Sequence, residues 1–352
     1  MDVISLLREL TEAQGVSGQE DSLRPTAEKF FRPLCDEIKY DKLGNLIALK
    51  KGTAEGKEHI KIMLAAHMDE IGLVVTKIEE GGFLRFSTIG GFDARTLPGQ
   101  KVIIHGRKDI TGVIGSKSPH ITEEKERKKA VEIDKLFIDT GYAQSELLEI
   151  VKVGDIISIE RSIYELANGC VSGKALDDRA GVVALMYCLH KLQSLHHVPD
   201  VYAVATVQEE VGVRGAAVSA YNIAPDLSIA IDVCHGNLPG VSEFETQEIG
   251  AGPVIGLGPN FHPSIIARLK EVAKRARIPV QFDVSAGPTG TDARAIQIAR
   301  GGIPTGLLSL PLRYMHTSVE LLSCEDLKLT AELLAVFIST IDRVFVEGLT
   351  CF

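Results

Sequence analysis

The chain has 352 residues, of which 45% are apolar and 24% charged, and a formal net charge of −9. This composition supports a sizeable core and excludes intrinsic disorder, and the length suggests one large domain plus a smaller one. The acidic balance, with basic residues dispersed along the chain, argues against nucleic acid as the main partner. The longest apolar stretch, 181–189, is about half as long as a bilayer-crossing helix, so no membrane contact is expected.

The N-terminus has the pattern of an amphipathic helix and not that of a signal peptide, because charged residues interrupt the apolar ones over 3–13. None of the six cysteines is in CxxC spacing, which favours buried, reduced thiols. We therefore expect a soluble protein of the cytoplasm.

After the first helix, the spacing of Ser17 and Glu20 is that of a capping box, which predicts a second helix ending near Phe31. Strands are predicted at 37–40, 45–50 and 60–66, and the last is apolar enough to be buried on both faces. From 71 to 164 short Val- and Ile-rich runs alternate with glycine turns, which predicts a small β-barrel or sandwich. The polar stretch 119–129 inside it is expected to be a loop.

From Asp177 onward the sequence again alternates between helix and strand patterns. Ser323 and Asp326 have the spacing of a second capping box, which predicts a long closing helix to about Val346. The other predicted elements are a helix at 178–195, strands at 201–207 and 227–231, and helices at 262–277 and 291–300. The predicted fold class is α/β: a mixed-sheet domain (1–70 and 165–352) split by an inserted small β-barrel domain (71–164).

Polar side chains of the metal-binding type follow the predicted core strands. His67 and Asp69 end the strand at 60–66 and share a face, since residues two apart in an extended chain point the same way. Glu209 and Glu210 end the next core strand and are expected to face opposite ways, so that one can bind a metal and the other take a proton. Asp232 ends a third strand.

These residues are expected to converge, because ligands of open α/β sheets bind at the carboxyl ends of the strands. Two further candidates are Asp177, next to Asp178 at a helix start, and His316, after an apolar run. Two imidazoles and three carboxylates suit a pair of divalent ions such as Zn²⁺ or Co²⁺. Taken singly, each has an ordinary alternative: a structural His–Asp pair, a helix-dipole interaction, a solvated strand end or a core histidine.

Five segments occur in a fixed order: H-M-D-E-I-G, K-A-L-D-D-R-A-G, Q-E-E-V-G-x-R-G-A, G-T-D-A and R-Y-M-H-T-S-V-E. Together they resemble the M42 family of metallo-aminopeptidases, the tetrahedral (TET) peptidases and their glutamyl aminopeptidase relatives. The resemblance implies a di-metal peptidase domain in which two divalent ions activate a water. It implies Glu209 as general base, Asp69 as the group that orients His67, and these metal ligands: His67, Asp177, Glu210, Asp232 and His316.

The resemblance also implies that Asp177 is shared by the two metals and precedes a cis peptide bond, although the choice between Asp177 and Asp178 stays open. The implied substrates are peptides with a free N-terminus. The implied assembly is a homo-oligomer, a tetrahedral dodecamer built from dimers through the β insertion.

Substrate preference and activity class have alternatives. The segment 252–262 resembles the family's substrate pocket and carries no Lys or Arg, which favours neutral or aliphatic N-terminal residues unless Arg313 points into the pocket. Paired carboxylates also serve glycoside hydrolases of the endoglucanase type. Against that, the chain has no Trp for sugar stacking. A non-catalytic metal-binding scaffold is the other alternative.

Overall fold

The computed structural model describes residues 1–53, 59–121, 124 and 129–350. Within these residues the strands are β1 Glu37–Tyr40, β2 Leu46–Lys50, β3 Lys61–His67, β4 Gly72–Ile78, β5 Phe83–Ile89, β6 Lys101–His105, β7 Asp109–Gly115, β8 Phe137–Asp139, β9 Ile156–Ile159, β10 Tyr164–Glu165, β11 Cys170–Gly173, β12 Asp200–Thr206, β13 Leu227–His235, β14 Val254–Leu257, β15 Gln281–Val284, β16 Thr305–Leu312 and β17 Glu320–Ser323. The helices are α1 Val3–Glu12, α2 Arg24–Phe31, α3 Gln144–Ile150, α4 Leu176–Leu192, α5 Arg214–Ile223, α6 Pro263–Ala276, α7 Ala293–Gln297, α8 Cys324–Ser339 and α9 Arg343–Glu347.

An eight-stranded mixed sheet in the order β1-β2-β12-β3-β13-β16-β14-β15 forms the centre of the larger part. Its four middle strands, β12, β3, β13 and β16, are parallel. Alternate residues of β3 enter different clusters of the core: Leu64 packs with α4 and α8 on one face, and Ala65 with α5 and α7 on the other. Burial on both faces explains why these strands are almost continuously apolar.

A closed six-stranded barrel, in the order β4-β5-β8-β7-β6-β9, interrupts this domain directly after β3. It has its own core, which includes Leu73, Ile104 and Ile157. The predicted fold class, a mixed α/β domain with an inserted β-barrel, is therefore confirmed. The predicted loop at 119–129 lies mostly outside the described residues, which here include a short 3₁₀ turn, Pro119–Ile121.

The first predicted capping box is wrong. Ser17 donates its hydroxyl to Asp69, 52 residues away, and Glu20 accepts the backbone N–H of Gly18 and of Gln208. Helix α2 begins only at Arg24. These two polar side chains are buried against distant parts of the fold, and that non-local demand overrides the local signal.

The long closing helix is also shorter than predicted. Ser323 does cap α8, but Asp326 accepts the N–H groups of Gly250 and Gly252 instead of completing the box. The helix ends at Ser339, whose hydroxyl, like that of Thr340, bonds a carbonyl of the last turn. Asp342 then caps the separate helix α9.

The five described cysteines are free thiols. Cys188 and Cys324 are buried, as predicted, whereas Cys35, Cys170 and Cys234 are only partly buried, and Cys351 lies outside the described residues. No helix in the described part of the chain is long and apolar enough to cross a membrane.

Candidate active site

The five candidate ligands and Glu209 line one cavity of about 670 Å³ at the carboxyl ends of the parallel strands, while Asp69 is fully buried behind it. His67 is the last residue of β3, and His316 follows β16. Asp232 was predicted to end its strand but lies inside β13, because β13 continues to His235 beside β16. The β13–β3 ladder, however, stops at Ala230, so Asp232 is free of that ladder and faces the cavity.

Two groups of side chains have the geometry of a metal shell. In the first, His67, Asp177 and Asp232 each offer a ligand atom, and all these atoms lie within 4.8 Å of one another. In the second, Asp177, Glu210 and His316 do the same. Asp177 belongs to both groups: its Oδ1 lies 3.1 Å from Nε2 of His67, and its Oδ2 lies 3.4 Å from Nε2 of His316.

Asp178 is oriented differently, although it is adjacent to Asp177 and the peptide bond between them is cis. Its side chain is fully buried, with Oδ2 accepting the backbone N–H of His67 and Oδ1 that of Gly181. Burial, with the nearby charge of Asp232, raises the pKa of Asp178 well above its usual range. Asp178 therefore connects the end of β3 to the first turn of α4 by hydrogen bonds. Because both of its oxygens accept these backbone N–H groups, Asp177 is better placed to be the shared ligand.

The prediction that Glu209 and Glu210 face opposite ways is wrong. Strand β12 ends at Thr206, and Gln208 has a positive φ of 56°, so the alternation of an extended chain does not reach them. Both side chains line the same cavity. Burial raises the pKa of Glu209 to about 10, and the carboxylates of Asp232, Asp292 and Glu210 contribute.

Asp69 anchors this loop as well as contacting His67. Its Oδ1 and Oδ2 accept the backbone N–H groups of Glu209 and Glu210 at 3.0 and 3.2 Å, and Oδ2 also accepts the Ser17 hydroxyl at 2.5 Å. The Nδ1 of His67 lies 3.1 Å from the backbone carbonyl of Asp69 and 3.6 Å from its carboxylate. A carbonyl can only accept, so Nδ1 carries a hydrogen, and Nε2, which points at Asp177, is the ring atom that could bind a metal.

The charges of the site favour a divalent cation. Burial raises the pKa of Asp232 to about 8 and also raises that of Glu210, partly because Asp177 is close to both. Hydrogen bonds to Asp177 and Glu210 raise the pKa of His316 to about 11. Buried carboxylates that face each other need positive charge between them, and the N/O donor set suits Zn²⁺ or Co²⁺. These residues therefore fit divalent ions.

The M42 glutamyl aminopeptidase family model matches residues 44–333. The chain belongs to the M42 peptidase family. A lysyl aminopeptidase of Pyrococcus furiosus is 38% identical to it over 93% of this chain and 94% of its own length. Membership confirms the predicted enzyme class, an aminopeptidase.

Solved structures of M42 relatives have the same fold. The TET aminopeptidase of the archaeon Thaumarchaeota SCGC AB-539-E09 superposes with a TM-score of 0.93 at 36% identity, covering 99% of both chains. The TET1 peptidase of Pyrococcus horikoshii, described as assembling into a tetrahedron or a large octahedral shell, gives 0.84 at 33%, covering 97% of this chain and 100% of its own. A Thermotoga maritima protein called an endoglucanase gives 0.77 at 31%, covering 98% and 99%.

Two acidic residues of the M42 motifs were given no role by the sequence reasoning. Glu320, only 2% exposed, accepts the backbone N–H of Asp177 on Oε2 at 3.1 Å and that of His316 on Oε1 at 3.0 Å. Asp292 accepts the Thr206 hydroxyl on Oδ2, while its buried Oδ1 has no hydrogen-bond partner among the described residues. Burial raises the pKa of Asp292 to about 6. The only sequence signal for a role of Glu320 and Asp292 is that both lie inside the M42-like motifs.

A buried ion network lies behind the ligand groups. Glu70 accepts from Lys174 at 2.6 Å, from Arg179 at 3.1 Å and from the backbone of Gly15. The guanidinium of Arg179 also donates to three carbonyls at the end of α1 and to that of Met68. The network thus fastens the N-terminal helix to the segments that carry His67 and Asp177.

Sequence reasoning also missed several lining residues of the cavity, among them Glu245, Asp283 and Arg294. Arg313, considered above as a pocket residue, is not in that lining. Its guanidinium donates to the backbone and side-chain oxygens of Asn237.

Proposed function

We propose that this protein is a two-metal aminopeptidase that removes N-terminal residues from peptides. The observation that carries the proposal is the sharing of Asp177 between two ligand groups, beside a carboxyl group, Glu209, that belongs to neither. His67 and Asp232 would complete one metal site, and Glu210 and His316 the other. Divalent ions bound there would polarise the scissile carbonyl and lower the pKa of the attacking water.

Glu209 is the residue to which we assign proton transfer. It takes a proton from the attacking water and delivers it to the leaving amine. Its burial among carboxylates supports this role, because the raised pKa lets Glu209 retain a proton that an exposed glutamate would release. Divalent ions held by the two ligand groups would lower that pKa toward neutrality, where a general acid–base group works best.

Asp69 and Glu320 hold these groups in position. Asp69 fixes the backbone of Glu209 and Glu210, and Glu320 fixes that of Asp177 and His316. The requirement for a free N-terminus follows from charge: the substrate's α-ammonium group is attracted by the carboxylates that crowd this end of the cavity.

We also propose a homo-oligomer, specifically a tetrahedral dodecamer built from dimers. The support is the similarity to a TET1 structure described as a dodecamer and to the Pyrococcus horikoshii TET1 peptidase, described as assembling into a tetrahedron or a large octahedral shell. Light scattering tests this, since a monomeric or dimeric mass at micromolar concentration would contradict it. The cytoplasmic location stays a prediction.

The central experiment compares Glu209→Gln with His67→Ala. We expect Glu209→Gln to keep its metal, by elemental analysis, and to lose about 10²- to 10⁴-fold in turnover of aminoacyl p-nitroanilides. His67→Ala should lose metal. The exposed Glu243→Gln is the matched control and should behave like wild type. Near-normal turnover of metal-loaded Glu209→Gln would remove Glu209 as the base, and unchanged metal in His67→Ala would remove that ligand.

A glycoside hydrolase remains the second candidate, because a structural relative is called an endoglucanase. Glu209 and Glu210 line one cavity, so a pair of carboxyl groups is present at one site. Chelation separates the two: it should abolish a two-metal peptidase and spare a hydrolase that relies on two carboxylates. Failure to hydrolyse any nitroanilide with added Zn²⁺ or Co²⁺ would favour the non-catalytic scaffold.

A further inference from the structure

The cavity extends well beyond the ligand groups, across the sheet toward its edge. Its floor follows the strand register: Ser309 lies opposite Asp232, and Gly256 lies opposite Asp283 on the edge strand β15. Leu307 lies between them, because the antiparallel β14–β16 ladder pairs Ile255 with Leu308 and so brings Gly256 beside Leu307. All five cavity residues of this path belong to the lining.

The length of this path matches a long N-terminal side chain. Asp232 and Asp283 lie on strands three spacings apart, about 14 Å, and the step from Ser309 to Leu307 adds about 7 Å along the strand, so the two residues are about 16 Å apart. An extended lysine measures about 7 Å from its α-amine to Nζ. With polar contacts of about 3 Å at each end, lysine covers about 13 Å of that span, and the longer arginine covers more of it.

The middle of the path is apolar and narrow. Leu307 and Phe261 line it, and a Cβ added to Gly256 would come within 2.8 Å of Phe261 and 3.1 Å of Leu307. Such walls suit the hydrocarbon stem of a lysine or arginine, which packs on apolar surface while its charged end reaches a polar group.

The far end of the path is acidic. Asp283 is half-buried there, and the exposed Glu245 lies at the cavity wall. Arg294 is the one Lys or Arg among the described lining residues. Its helix α7 packs against β13 and β16, and Ala293 beside it packs with Leu307 and Phe261, so Arg294 lies nearer the middle of the path than Asp283 does. A carboxylate at the end of an apolar slot favours a cation over an anion or a neutral group.

We propose that Asp283 is a specificity-determining residue that selects a basic N-terminal side chain, lysine or arginine. This rests on the proposed aminopeptidase function. It replaces the preference for neutral or aliphatic residues expected from 252–262, because the acidic group comes from β15, outside that segment.

The test compares lysyl p-nitroanilide with norleucyl p-nitroanilide, which has a side chain of similar length without the charge. For the wild-type holoenzyme we expect kcat/KM to be at least tenfold higher for the lysyl substrate. Asp283→Asn should reduce this ratio about tenfold, and Asp283→Glu, which keeps the charge, should largely preserve it. Val284→Ala is the matched control: Val284 is 73% exposed on the opposite face of the same strand, and its loss should leave the ratio unchanged.

The outcomes separate the two proposals. A wild-type ratio near one, a preference for a glutamyl substrate, or an Asp283→Asn enzyme with the wild-type ratio overturns the role of Asp283 while the aminopeptidase function stands. No hydrolysis of any nitroanilide by metal-loaded protein overturns the proposed function itself. If Asp283→Asn does not fold, the wild-type ratio and the charge-keeping Asp283→Glu variant still decide the question.

Discussion

Glu320 offers the sharpest test of how the two ligand groups are held together. Its carboxylate has two acceptor oxygens, and each accepts one backbone N–H, that of Asp177 or that of His316. In Glu320→Gln only one oxygen remains, and the amide NH₂ faces the other N–H. One buried hydrogen bond is therefore replaced by two donors facing each other.

The magnitude follows from the nature of that bond. Burial and the charge of Asp177 raise the pKa of Glu320 well above its usual range, and divalent ions bound nearby would favour its ionised form. A hydrogen bond to a charged group contributes about 1.5–3 kcal/mol, and the displaced N–H belongs to one of two candidate ligand residues. Converted at about 1.4 kcal/mol per factor of ten, this predicts metal binding weaker by about 10- to 150-fold. Removing partners that orient metal ligands generally costs 10- to 100-fold, which agrees.

The assay is competition with a chromogenic chelator, followed by kcat at saturating metal. We expect Glu320→Gln to need more metal for half-maximal activity and to recover part of its kcat at high metal. Glu325→Gln is the control, since Glu325 is exposed on the next element. Wild-type metal affinity in Glu320→Gln would refute the reasoning, because it would mean that a neutral group with one acceptor positions both ligand residues equally well.

Three further predictions concern the surroundings of the site. Ser17→Ala removes the hydroxyl that donates to Asp69 and should lower kcat about fivefold, the effect of about 1 kcal/mol, while the metal content stays unchanged. A loss of metal as large as the loss of kcat would contradict a role confined to the 209–210 loop. Lys174→Met breaks the buried ion pair with Glu70 and should lower the free energy of unfolding, measured by denaturant titration, by about 3 kcal/mol or more. The control Lys101→Met, at an exposed position, should change that free energy by less than about 0.5 kcal/mol. For the metal-free protein, the pKa of Glu209 is raised to about 10 and that of His316 to about 11, so the native state binds more protons than the unfolded one near neutrality. Its stability should therefore fall as pH rises, with Tm lower by a few degrees at pH 8 than at pH 6.5 in calorimetry; a Tm that rises over this window would contradict those pKa shifts.

Local patterns in the sequence were sufficient for most of the elements and for the candidate ligands. The apolar run of β3 predicts a strand buried on both faces, and glycine-punctuated short runs predict the barrel. Candidate ligands such as His67 and Asp177 lie in motifs that can be read along the chain. Periodicity and motif order are properties of neighbouring residues, so the sequence alone carries them.

Tertiary structure decided which polar groups meet. Ser17 reaches Asp69 across 52 residues and Glu320 reaches Asp177 across 143, and no local spacing encodes either pair. The local signal at Ser17 even predicted a helix cap. Hydrogen-bond partners of buried groups are chosen by the whole fold, because every such group must be satisfied wherever a partner is available.

The same distinction separates the candidate metal ligands from the proposed substrate pocket. The sequence by itself determined the donor types that a metal site needs. Only the fold shows that the backbone turn at Gln208 directs Glu209 and Glu210 toward the same cavity. Only the fold shows that the strand register places Gly256 beside Asp283 at the far end of that cavity. Sheet order and register arise from pairing between distant segments, so the pocket's chemistry becomes visible only once the strands are assembled.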